Sequence, residues 1–204
     1  PVAGRKHCNH RGICMNMTRM LTQLVMLMGL VLLISGPATA EPELSEQAKA
    51  ELVEKARNSL ESLYASTPQA KDLRSRSEAV LVFPDILKAG LLVGGSGGNG
   101  VLFSPHGKVL GYYNASSLSF GLQAGAENYA EALFLTTRDA LKYLDSSDGW
   151  SIGSGPSITV IDQGAGGDFS TTTLRSDVFA FIYGQKGLMG GIGLQGQKIT
   201  RLKP

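Results

Sequence analysis

Cysteine is nearly absent: the chain of 204 residues has only Cys8 and Cys14. Both lie ahead of the apolar run that begins at Leu21, so whatever folds beyond residue 40 has no disulfide, no thiol nucleophile and no cysteine metal site. Histidine is equally scarce there, with His106 alone. No cluster of His, Cys and carboxylate has metal-ligand spacing, and neither a metal nor a cofactor is expected. A run of about 20 apolar residues, the length needed to cross a bilayer, is also missing, since residues 21–34 fall short. Acidic residues are wholly absent from the first forty positions.

Those forty positions hold a different signal. Arg19 supplies a positive start, residues 21–34 an apolar run, and Ala38-Thr39-Ala40 a small-residue cleavage site, the order of a secretory signal peptide. The expectation is cleavage after Ala40 and an exported, periplasmic protein, with an uncleaved interfacial anchor as the alternative. Residues 1–16 are expected to be an upstream segment, 17–40 the signal, 41–76 an N-terminal helix and linker, and 77–204 a β-rich domain. Without Arg5, Lys6, Arg11 and Arg19 the Lys and Arg count falls from 19 to 15 against 17 Asp and Glu, a net charge of −2. A broad nucleic-acid surface is not expected from that balance.

Leu44, Ala48, Leu52, Ala56, Leu60 and Leu63 fall at steps of four and three, which predicts a helix with one apolar stripe docked on a sheet. Its polar face mixes both charge signs, unlike the basic face of helices that lie on membranes. Residues 66–77 read as a polar connection. Short Val- and Leu-rich runs broken by Pro and Gly then predict strands at 79–83, 89–93 and 100–103. Ser104-Pro105-His106-Gly107 fits a type I turn, with a return strand at 108–113 and extended chain at 117–126 and 129–135. Thr136 and Thr137 suit the cap of a short helix over 138–144. Strands are predicted over 150–161, 169–174, 178–183, 188–194 and 196–202, a turn at 185–187, and connections mostly too short for parallel crossovers. The fold class is α+β, a mainly antiparallel sandwich or barrel-like sheet with an N-terminal amphipathic helix and one short inserted helix.

Gly94, Gly95, Gly97, Gly98 and Gly100 crowd one stretch. In a sheet such density marks bulges, tight bends, or close approach of a backbone or ligand. The spacing G-x-G-x-x-G occurs there, but a dinucleotide site needs a helix immediately after the glycines, and a strand follows. Gly-x-Ser-x-Gly around Ser96 also matches a nucleophile elbow, yet its base would have to be His106, with no acid between them. A serine hydrolase at Ser96 is the remote alternative. Lys88, Lys108, Lys186 and Lys198 recur beside glycine turns. Such lysines are ordinarily solvated and guard sheet edges. The functional alternative is one shared rim for phosphate headgroups.

Four blocks, KAGLLVGGSGGNGVLF (88–103), SFGLQAGAE (119–127), TTRDALKYL (136–144) and QKGLMGGIGLQG (185–196), resemble the SYLF-domain family over about 77–202. The resemblance implies a non-enzymatic lipid-binding module with phosphoinositides as ligands in eukaryotic members, some of which bind actin filaments, and a bacterial exported protein here. Where family members often carry Arg, this chain has Ser96-Gly97 and, near 163–167, no arginine. The expected partner is anionic membrane phospholipid. The alternative is a cell-envelope structural or protein-interaction module.

Overall fold

The computed structural model describes residues 44–146, 150–151, 154–163, 176–188 and 197–203, all within one unit, Glu43–Pro204. Helix α1, Glu46–Ser66, starts where the Ser45 hydroxyl accepts the amide of Ala48 at 3.2 Å, and it buries Ala56, Leu60, Leu63 and Tyr64, the stripe seen in the sequence. Helix α2, Pro68–Arg76, replaces the expected polar connection. Pro68 sits in the first turn, where a missing N–H costs nothing, and Ala70 and Leu73, three apart, are buried together. Helix α3, Arg138–Leu144, has the expected cap, the Thr137 hydroxyl accepting from Ala140 N at 3.2 Å.

The strands are β1, Ala79–Phe103, β2, Val109–Leu135, β3, Trp150–Ser151, β4, Ile158–Asp162, β5, Val178–Leu188, and β6, Lys198–Arg201. The three short strands expected at 79–103 are one strand, and the runs over 108–135 are another, because β1 and β2 stay in antiparallel register from Ala79 with Leu135 to Phe103 with Val109. The expected turn over Ser104–Gly107 joins them, with Gly107 N donating to Ser104 O at 2.9 Å and Gly107 at φ +81. The breaks read from Pro84 and the glycines are bulges: the register shifts between Phe83 and Ile86 and again between Leu91 and Val93. Expected strand 150–161 divides into β3 and β4 around bends at 154–156. Residues 185–187 continue β5 instead of turning. The expected strand at 169–174, and all of that at 188–194 except Leu188, which ends β5, lie outside the described residues.

The sheet order is β3-β6-β2-β5-β4, with β1 along β2. All pairs are antiparallel except β4 with β5, in keeping with the mainly antiparallel expectation; residues 163–177 are a long enough connection for a parallel crossover. The architecture is α+β with a curled, barrel-like sheet, as the sequence predicts. Both sheet faces are apolar. One packs Val80, Val82, Val101, Phe103 and Phe134 with α1 and α2; the other packs Leu81, Phe83, Ile86, Leu102, Tyr113, Leu133 and Trp150 with α3.

The glycine cluster explains the curl. A Cβ on Gly90 would meet the Gly94 Cα, so β1 bends sharply there. Beyond the bend its second arm lies against its first: a Cβ on Gly100 would stand 2.5 Å from the Phe83 ring and 2.7 Å from Val82 O, and one on Gly98 would meet Asp85 O and stand 3.0 Å from the Ile86 side chain. Backbone atoms cannot yield as flexible side chains do, so Gly98→Ala should cost about 1–3 kcal/mol by overpacking. Gly97→Ala, whose Cβ would lie an ordinary 3.6 Å from Ala115 O, should stay within about 0.5 kcal/mol of the parent. Urea unfolding of the two variants checks this, and equal costs would contradict it.

Candidate functional site

The bend in β1 opens a groove of about 720 Å³. Leu87 and Ala89 line it from the first arm, Gly95, Ser96 and Gly97 from the second, with Ser116, Ser117 and Leu118 of β2 and Lys198 of β6. β5 pairs β2 only at 126–135 and β6 only at 113–116. Residues 117–125 of β2 therefore have β1 as their one strand partner among the described residues. Along this stretch of the hairpin, Leu87 is 57 % exposed, Leu91 73 %, Val93 56 % and Leu118 70 %. Single exposed aliphatic residues are ordinary, but four on two neighbouring strand segments form a patch that marks an interaction surface. The sequence placed Leu91 and Val93 on a strand; a strand prediction does not say what covers either face.

The four lysines do not share a rim. Lys198 is exposed and reaches the groove. Lys88, 8 % exposed, stands opposite Glu127 in the β1–β2 register. Lys108 is exposed beside the hairpin turn, and Lys186 lies on β5 in a separate cleft with Asn58, Ser59, Asn128 and Tyr183. Nor do the five glycines share one role. Gly95 and Gly97 line the groove, whereas Gly98 and Gly100 pack against the first arm of β1.

Ser96 sits inside a continuous strand, not at a strand-to-helix elbow. Its hydroxyl lies 2.7 Å from that of Ser117, and His106 is at the exposed hairpin tip. The geometry of a hydrolase nucleophile is not formed at this residue.

Sequence reasoning missed the acidic line behind the groove. Glu127, Tyr129 and Glu131 alternate along β2 on the face that carries Leu133 and Leu135. Glu131 is fully buried, its Oε2 accepting from Gln197 Nε2 at 3.0 Å while its Oε1 has no partner. Burial pushes its carboxyl up to about 7, against the Gln197 hydrogen bond. Burial also raises Glu127, which the Lys88 ammonium partly offsets. The charged form of Glu131 thus weighs against the fold, so stability should fall as pH rises from about 4.5 to about 7, by about 3 kcal/mol from this group. Glu131→Gln should remove most of that slope. Urea unfolding at about pH 5 and about pH 8 measures it, and an unchanged pH dependence in the variant would contradict the assignment.

Among the described residues no helix is long and apolar enough to cross a membrane. A search of curated proteins found no match. Residues 116–203 match the model of the Ysc84 family, described as Las17-binding protein actin regulator. The match takes in β2 from Ser116, α3 and β3 to β6, and bears out the SYLF resemblance stated from the sequence blocks. The family is one of binding domains associated with lipid and actin. Over residues 116–203 the chain is thus similar to the SYLF (Ysc84) family.

Proposed function

We propose that the protein is a non-enzymatic membrane-lipid-binding module, and that it docks on anionic phospholipid through the exposed aliphatic residues of the β1–β2 hairpin. The observation that carries this reading is the patch of Leu87, Leu91, Val93 and Leu118 beside a groove whose basic residue is Lys198. Aliphatic side chains entering the acyl boundary gain up to about 2 kcal/mol each, and a basic residue near an anionic surface adds about 1 kcal/mol. The proposal includes export by way of residues 17–40, whose basic, apolar and small-residue segments follow the order of a signal peptide. On this reading the headgroup meets Lys198, while Lys88 works inside the fold opposite Glu127.

A second reading is supported by the family description and by the exposed Leu87, Leu91, Val93 and Leu118: a protein partner docking on these aliphatic residues. Vesicle co-sedimentation separates the two. The full chain should pellet with anionic vesicles, less with neutral ones. Leu91→Asp with Leu118→Asp should lower the partition coefficient at least about tenfold, and Lys198→Gln about fivefold at low salt. Absence of vesicle binding, or binding indifferent to all three substitutions, rejects the lipid reading.

A further inference from the structure

The tip of the β1–β2 hairpin is held by two arginines from two helices. Arg57 of α1 donates Nη2 to Gly107 O at 2.8 Å, and its guanidinium lies 5.1 Å from the centre of the Phe103 ring. Arg74 of α2 donates Nε to Pro105 O at 3.0 Å. A Cβ on Gly107 would stand 3.5 Å from Arg57 Nη1 and 3.4 Å from Arg74 Nη2. Both guanidinium groups therefore face one point that glycine leaves open. They line a pocket of about 270 Å³ together with Leu60, Glu61 and Ser104. Neither arginine forms an ion pair among the described residues, and Glu61 is the one carboxylate in that lining. His106 and Lys108 are exposed on the same turn.

Capping a turn carbonyl uses one of the five N–H donors of a guanidinium. Two planar forks on one small pocket, each anchored by a carbonyl and one also by an aromatic ring, are pre-organised for a multivalent oxyanion. We infer that this pocket binds a phosphate-type anion, through Arg57 and Arg74. A phosphomonoester headgroup of a lipid and free phosphate present the same chemistry to it. The site is independent of the lipid-docking patch, so loss of vesicle binding in the Leu91 and Leu118 variants leaves it intact.

The test uses the full chain, with inorganic phosphate and short-chain dihexanoyl phosphatidic acid as probes, read by calorimetry and by the NMR signals of the Gly107 amide and the arginine Nε–H groups. Phosphate should move those signals saturably. Arg57→Gln and Arg74→Gln should each weaken binding about tenfold, and Arg74→Lys should recover only part of the loss, because it restores charge without the fork. Glu61→Gln should strengthen binding and, being exposed, leaves the fold untouched. Binding about tenfold tighter for phosphatidic acid identifies a lipid headgroup as the source, and equal binding identifies free phosphate; either supports the site. No shift at Gly107 with both probes overturns it. So does binding that survives the paired Arg57→Gln and Arg74→Gln substitutions, or variants that melt earlier yet bind as before.

Discussion

The fold depends on one close approach, that of β1 to itself. Gly98 lies against Asp85 and Ile86, and Gly100 against Val82 and Phe83, with no room for a side chain between them. A long hairpin would otherwise lie open, its edges exposed along its whole length. Bringing the two arms together buries Phe83 and Ile86 with Leu102 on one face and Val80 and Val82 with Val101 and Phe103 on the other. Helix α1 then covers the second set, and its apolar stripe has something to dock on.

The same bend sets what remains outside. At the fold of the hairpin no described strand other than β1 pairs with residues 117–125, and Leu87, Leu91, Val93 and Leu118 stay in contact with solvent. The polar interior is another consequence. Glu131 and Gln197 hold each other where the curl closes, and Lys88 balances Glu127 there. Buried charge of this kind contributes little net stability and makes the interior sensitive to protonation.

Much of this was legible in the residues. Ser45, Thr137 and the Ser104–Gly107 turn act as their chemistry predicts, and the stripe at Ala56, Leu60 and Leu63 is buried. The glycines announced a bend or a close approach; only the fold shows that the partner is the strand's own first arm. The lysines misled because a sequence neighbour such as Gly90 says nothing of a cross-strand partner such as Glu127, some forty positions on. Arg74 was passed over as part of a polar connection, since α2 is too short to show more than two apolar positions. Ser96 matched a motif by spacing alone, while the strand around it removes the elbow that the chemistry requires.

Depth-resolved fluorescence tests most directly whether the bend of β1 presents a lipid-seeking surface. Leu91→Trp places a probe at that bend, Val160→Trp places one at an exposed position of β4, and the native Trp150 stays buried. With anionic vesicles carrying brominated acyl chains, the account predicts a blue shift and strong quenching for the probe at position 91 and little change for the probe at 160. Equal quenching at both positions, or none at 91 while the protein is vesicle-bound, would contradict it.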